Sequence, residues 1–385
     1  MELMQACRQW AERPADERFW TLQEAHTKSL QHATQAVETT AAPKDLRFID
    51  NDSGDVQIVG AAGTPAKISH YAFGQACRTA TAPADFLRRL PADLAARNLN
   101  HGLAALDDQD KERQLLFHDN DGDLTLRSLT GDKYSRIWNH ELLERLMPLT
   151  ENGWQVPPAR PARQNDPRQR AATQADLIAG NKGGLQVREG DMIAPAGVYA
   201  SDHDCFVLMI NPDRSFGDDD NLMRGMIWRN SEVGNGALVG LAFIFDGVCG
   251  NHIIWGVQET LEFRLRHVGN VRRRWGEARM KITKYANSSV QLQAQAVTRS
   301  KTVRLGETKD EALDYLFGKK GLDLTRSAIS QGLDRAEQRE DRYGDPLSAW
   351  GFIGGLTEVA RDIPHGDKRA AMEMAGGKVL QQVAF

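Results

Sequence analysis

The stretch from Met223 to Gly256, MRGMIWRNSEVGNGALVGLAFIFDGVCGNHIIWG, is the part of this chain that leaves the fewest folds open. Two strand-like runs flank Asn235-Gly236, a dipeptide suited to a tight type I′ hairpin because both central residues of that turn need φ > 0. From Ala237 to Cys249 the side chains are almost continuously apolar, the pattern of a strand covered on both faces. The preceding run, Met226 to Val233, instead sets Trp228 and Asn230 against Ile227 and Arg229. One of its faces is therefore expected to meet a groove, a partner or water. With a further strand at about 196–210, three antiparallel strands precede a long helical segment. That β-β-β-α order points to an α+β fold, an antiparallel sheet with helices packed on one face and at the C-terminus.

At 385 residues the chain has room for one or two domains plus extensions. A net charge of −4 excludes a coat protein that is basic over its whole surface, but not a local basic patch. The four cysteines, Cys7, Cys77, Cys205 and Cys249, are far apart and form no CxxC, which suggests reduced thiols and a cytoplasmic location. The N-terminus lacks a basic region followed by an apolar one, and no apolar run approaches membrane-spanning length, so neither a signal peptide nor a membrane span is expected.

Residues 1–43, polar and rich in Ala, Gln and Thr, read as an extension or a loosely docked helix. Residues 44–150 read as an α+β part. In it LRFIDNDSGDVQIVG makes two strands around an Asn-Asp-Ser-Gly turn, and two or three short helices follow, broken at Pro83 and Pro91. A hairpin then turns at Asp119 to Asp123, and a helix at about 140–147 takes Asn139 as its N-cap. Residues 151–184 carry Pro157, Pro158, Pro161 and Pro167 with Arg160, Arg163, Arg168 and Arg170, and few large apolar side chains. They are expected to form a flexible linker or loop. Residues 185–300 hold the central sheet, a turn at Asn211-Pro212-Asp213, an acidic loop at Asp218 to Asp220, and a basic helical segment from 257. Residues 301–385 read as helices.

The basic segment carries the clearest chemical signal. Arg264, Arg266, His267, Arg272, Arg273, Arg274, Arg279, Lys281 and Lys284 face one acid, Glu277, with Trp275 and Tyr285 interleaved. Such cations attract a phosphate backbone whatever its sequence, and aromatic rings stack on bases. The plain alternative is a solvated helix face that balances acids elsewhere. In the nucleic-acid reading, Arg229, Arg264, Arg266, Arg272, Arg273, Arg274 and Lys281 supply phosphate contacts, and Trp228, Trp275 and Tyr285 stack.

Other constellations are weaker. Asp202-His203-Asp204 with Asp218, Asp219 and Asp220 offers carboxylates and an imidazole to a divalent ion, but strand alternation would turn His203 away, and the spacing matches no standard ligand motif. His118 to Asp123 begins like a calcium loop, then has Leu124 where glycine is required and Thr130 where an acid is required. Gly60 to Lys67 and Gly180 to Gly184 lack phosphate-loop spacing, and no GxSxG elbow exists. Cys249 and His252 read as strand residues. No catalytic residue, metal or cofactor is assigned.

Seven blocks between Ile68 and Gly376 occur in one order: AFGQACRTATAPADFLRRLPADLAARNLNH, RSLTGDKYSRIWNHELL, FVLMINPD, RGMIWRNSEVGNGAL, FDGVCGNHIIWG, GETKDEALDYLF and EDRYGDPLSAWGFIGGLTEVA. Together they resemble the phage- and plasmid-related branch of the domain-of-unknown-function 932 family. Cys249-Gly250-Asn251-His252 stands where many relatives carry Cys-Thr-Asn-Gly. The resemblance implies a mobile genetic element and supplies no catalytic residues. The β-β-β-α order also looks like the core of phage single-strand annealing proteins, whose rings hold single-stranded DNA in a basic groove. The expectation is a non-enzymatic, homo-oligomeric protein that holds single-stranded nucleic acid in recombination or replication. The alternatives are a counter-defence protein that binds a host protein and a metal-dependent hydrolase.

Overall fold

The computed structural model describes residues 14–59, 63–107, 111–156, 160–161, 166–174, 188–195, 197–217, 222–246, 251–254, 262–319, 322–362 and 366–384. A short strand β1 (Arg18–Phe19) precedes helix α1 (Leu22–Thr34), which starts where the Thr21 hydroxyl accepts from the Glu24 N–H. Strands β2 (Ala36–Ala41), β3 (Arg47–Asp50), β4 (Val56–Val59) and β5 (Pro65–Ile68) follow. Then come α2 (His70–Thr79), α3 (Ala84–Leu87) and α4 (Ala92–Ala104), with Pro83 and Pro91 at the N-caps of the last two. Strands β6 (Arg113–Asn120) and β7 (Asp123–Gly131) complete a six-stranded sheet in the order β2-β6-β7-β5-β4-β3. Only β5 and β7 in it run parallel. Its apolar face buries Phe48, Ile58, Leu115 and Leu126 against Ala76, Leu99 and Leu103 of the helices.

The expected separation at residue 43 does not hold for residues 14–43. Leu22 and Ala25 of α1 lie in the central core, and β2 is an edge strand of the first sheet. Only Leu22, Ala25 and Ser29 of α1 are buried, too narrow a stripe to stand out among polar residues.

Helix α5 (Asn139–Leu146) has Trp138, not Asn139, as its N-cap, and Glu141 accepts from the Trp138 N–H at 2.9 Å. Beyond it, β8 (Arg160–Pro161), β9 (Arg170–Ala171) and β10 (Met192–Ala194) form a small sheet in the order β8-β10-β9. Asp166 is buried and receives both Arg18 guanidinium N–H groups, at 2.7 and 2.9 Å. The described part of the Pro/Arg-rich segment is therefore pinned by an ion pair that its composition does not reveal.

The central sheet is seven-stranded among the described residues. Strands β11 (Val198–Ala200), β12 (Cys205–Phe216), β13 (Leu222–Asn230), β14 (Leu238–Asp246) and β15 (Asn251–Ile254) lie in the order β1-β11-β12-β13-β14-β15. β16 (Glu262–Leu265) also pairs with β14, inside the segment expected to be helical. Pro212 lies within β12 rather than at a turn; the register shifts between Asn211 and Phe216, an irregularity that accommodates a residue without an N–H.

Strand β13 is buried throughout, so the expectation of an open face fails. Met226 and Trp228 face a core built with α1, α5 and α6 (Val271–Asn287), while Met223 and Ile227 pack on the other side with Tyr199, Phe206 and Phe243. Trp228 is paired across the sheet with Gly240, and Phe243 with Gly225. A Cβ on either glycine would overlap the facing ring, so each glycine makes room for an aromatic.

Helix α6 buries Val271, Trp275, Ala278, Ile282 and Tyr285 as one stripe. The buried Arg224 holds its C-terminal end, donating to the carbonyls of Ser288 (2.7 Å) and Tyr285, with its guanidinium 3.9 Å from the Tyr285 ring centre. A cation there complements the helix dipole. The C-terminal helices are α7 (Gln291–Thr302), α8 (Lys309–Gly318), α9 (Arg326–Gln338), α10 (Glu340–Tyr343), α11 (Ala349–Asp362) and α12 (Gly366–Ala384). They share one core with Phe216, Leu222 and Ile244 of the sheet. Among the described residues no helix is long and apolar enough to cross a membrane.

Candidate functional site

The two large sheets meet at the β13–β14 connection. β13 ends at Asn230 and β14 begins at Leu238, so residues 231–237 form a longer loop, with Gly234 at φ 82°, instead of the expected two-residue turn. The tight turn with two positive φ values lies in the β6–β7 hairpin, at Asp121 (54°) and Gly122 (91°). The reason for the longer loop is docking. Glu232, fully buried, accepts from Arg127 (2.9 Å), from the Asn139 N–H (2.7 Å) and, through its carbonyl, from Arg136. Gln75 donates to the Val233 carbonyl at 2.8 Å and accepts from the Leu129 N–H at 2.7 Å, and the Tyr134 hydroxyl donates to the Ser231 carbonyl at 2.8 Å.

Beside this clasp lies a cleft of about 430 Å³, between α2, the β6–β7 end of the first sheet, the 234–237 turn and the end of β16. Arg78, Arg113, Arg264 and Arg266 line it, and no carboxylate does. Arg78, Arg264 and Arg266 are exposed. Thr130 and His267 line it too, and they are 6% and 4% exposed. The Arg113 Nε, Thr130 Oγ1 and His267 Nε2 atoms are buried and have no hydrogen-bond partner among the described residues. His267 stacks on Tyr134 with ring centres 5.2 Å apart, and its Nδ1 lies 3.2 Å from the Ser135 carbonyl. Burial, with help from the Arg136 charge, pushes the His267 imidazole down to about 4. The neutral ring thus donates from Nδ1–H and leaves Nε2 as an acceptor. Burial raises the Tyr134 hydroxyl above its ordinary value, so it stays protonated.

The residues singled out from sequence separate into three groups. Arg264 and Arg266 enter the cleft. Arg273, Arg274 and Lys281 lie on the exposed face of α6 with Arg279 and Lys284, where Glu277 stands 3.9 Å from Arg273. Arg272 lies in α6, but its side chain is outside the described residues. Trp228, Trp275, Tyr285 and Arg229 are core residues, a correction to their expected roles. The three rings are 0%, 3% and 5% exposed and offer no face to a base. Arg229, 4% exposed, donates to the Asn235 carbonyl at 2.9 Å and braces the loop. Four residues that sequence did not single out, Arg78, Arg113, Thr130 and Tyr134, complete the cleft. They come from distant segments and carry no shared motif.

The candidate metal residues make a closed polar knot. His203 Nδ1 lies 2.6 Å from Asp202 and 3.1 Å from the Ser201 hydroxyl, which donates to Asp204 at 2.7 Å; the Tyr199 hydroxyl also donates to Asp204. These residues form a turn before β12, so His203 faces both acids rather than pointing away. Among the described residues no group of three or more His, Cys, Asp or Glu is placed to hold a metal ion. Asp218 to Asp220, Gly180 to Gly184 and Cys249 lie outside the described residues.

A family model described as a domain of unknown function, DUF932, matches residues 167–361. That span is shorter than the Ile68–Gly376 stretch of resemblance. It contains the 234–237 and 264–268 walls of the cleft but not the walls from α2, β6 and β7. No curated protein and no solved structure matches the chain.

Proposed function

The chain belongs to the DUF932 family, a membership that names no activity, and from its cleft we propose that the protein binds single-stranded nucleic acid. The observation that carries this reading is a cleft lined by four arginines and no carboxylate in a chain whose net charge is −4. Guanidinium groups hold phosphate oxygens in planar, paired hydrogen bonds, and together they create a local positive field. The exposed cations of α6 add to the positive field that draws a phosphate backbone to the protein. Binding needs no nucleotide hydrolysis and no metal. The setting we propose is recombination or replication on a phage or plasmid, with repeated copies of the chain holding one strand.

The test is fluorescence anisotropy with labelled single- and double-stranded DNA across a salt series. Single-strand affinity is expected to fall with salt with a log–log slope of about −0.7 per phosphate contact. An Arg264→Ala/Arg266→Ala variant should bind more weakly and with a shallower slope. No binding at low salt removes the reading.

A further inference from the structure

The cleft is more than a positive surface. A phosphate-tracking groove needs only exposed cations, whereas this cleft also holds three buried polar atoms that lack partners: Arg113 Nε, Thr130 Oγ1 and His267 Nε2. A polar atom left unpaired in a protein interior costs about 1–3 kcal/mol. Core positions such as Trp154 Nε1 and Arg224 Nε carry the same feature, so what sets these three apart is their place on residues that line an arginine-rich cleft, where a polar ligand can reach their side chains. Their chemistry constrains that ligand. Arg113 Nε–H is a donor and the Thr130 hydroxyl turns either way, so both suit phosphate oxygens. His267 Nε2 is different. With Nδ1–H committed to the Ser135 carbonyl, it is an acceptor and takes a hydrogen from an O–H or N–H of the ligand, which the P–O–H of a singly protonated phosphate supplies.

An internal phosphodiester of DNA carries one charge and no proton. A phosphomonoester carries about −1.5 to −2 charges at neutral pH, because its second proton leaves near pH 6. Its monoanion keeps one P–O–H that can donate to His267 Nε2, and its dianion brings the guanidiniums more charge than a diester does; an internal diester has neither form. Whether that proton resides on the phosphate or on Nε2, the same hydrogen bond forms. We propose that the cleft takes a phosphomonoester, supplied by the phosphorylated end of a strand, in preference to an internal phosphodiester. The strand end rests on the nucleic-acid reading above; the phosphomonoester rests on the cleft alone.

The experiment compares one labelled single-stranded oligonucleotide with a 5′-phosphate, a 3′-phosphate or hydroxyls at both ends. A nucleoside monophosphate and inorganic phosphate serve as competitors. One phosphate-ended form is expected to bind about tenfold tighter than the hydroxyl-ended form, the gain of a set of charge-assisted hydrogen bonds. Thr130→Val and Arg113→Ala should each reduce that preference, while Lys284→Ala, on the α6 face, weakens all forms equally. Thr130→Val removes a buried hydroxyl that has no partner, so it is expected to fold at least as well as the wild type. Equal binding of phosphate- and hydroxyl-ended strands overturns the inference and leaves the nucleic-acid reading standing. A preference that survives both cleft variants also overturns it. Tight binding of the nucleoside monophosphate with no binding of any oligonucleotide keeps the phosphomonoester and overturns the strand.

Discussion

Replacing Glu232 tests how the two sheets are joined. Its carboxylate is 1% exposed and Arg127 opposite is 4% exposed, at 2.9 Å. Water therefore screens neither charge. In Glu232→Ala the guanidinium keeps its contact with the Asp202 carbonyl but loses its counter-charge, and the Asn139 N–H loses its acceptor. Removing one partner of a buried pair costs about 3–5 kcal/mol, mostly because the other charge stays buried and unpaired. Against a typical total of about 5–15 kcal/mol this is a large loss. Glu232→Gln can still accept from Asn139, so it isolates the charge and should recover only part of the loss. An Arg127→Met/Glu232→Leu double variant, with no charge left to bury, should be more stable than Glu232→Ala. Urea unfolding followed by tryptophan fluorescence and by circular dichroism measures each. A Glu232→Ala loss below about 1 kcal/mol, the range of a solvent-screened pair, would refute the argument that this clasp is a dry, charge-balanced joint.

Gly240→Ala drives a methyl group into the fully buried Trp228 ring and should cost about 1–3 kcal/mol through overpacking, with a changed near-ultraviolet dichroism. An unchanged spectrum and stability would show that the ring has room. Arg224→Leu removes the buried cation from the C-terminus of α6, leaving the Tyr285 carbonyl to the Ser288 N–H and hydroxyl and the Ser288 carbonyl to Arg214 at 3.4 Å. It should lower the urea midpoint by more than an exposed Arg273→Leu does, and equal effects would contradict the capping role. His32 and His267 are held down to about 4, chiefly by burial, against an ordinary value of 6.5. Between those values the unfolded chain binds more protons, so stability is full above about pH 6.5 and falls as the pH drops towards 4. A His32→Gln/His267→Gln variant should flatten that slope, and a wild type that gains stability on acidification would contradict the assignment.

The α+β class, the DNDSG hairpin, the helices broken at Pro83 and Pro91, and the existence of strand β14 follow from alternation, proline positions and turn chemistry, all local signals. The failures share a cause in tertiary structure. Trp228 alternates with polar neighbours as a surface aromatic does, yet Arg229 and Asn230 beside it are buried, where Arg229 donates to the Asn235 carbonyl of the loop and Asn230 to the Ile137 carbonyl and to Asn139 at the start of α5. Trp275 and Tyr285 sit among arginines, but Val271, Trp275, Ala278, Ile282 and Tyr285 recur at helical spacing, and that stripe marked the core face. Asn235-Gly236 has the composition of a tight turn, but nothing local shows that Glu232 is needed by Arg127 a hundred residues earlier. The cleft is legible only in half. Arg264 and Arg266 belong to a visible basic run, whereas Arg78 and Arg113 are single cations in an ordinary helix and strand, brought together by the docking of the sheets.

The most direct test of the account is where a strand touches the protein. A single-stranded oligonucleotide carrying photoreactive 5-iodouracil would be cross-linked to the wild-type chain and the adducts located by peptide mass spectrometry. Adducts in the peptides that hold Tyr134 and His267, lost when unlabelled phosphorylated strand competes, are the predicted result. Adducts confined to regions away from the cleft and the α6 face, with the cleft peptides unmodified, would contradict it.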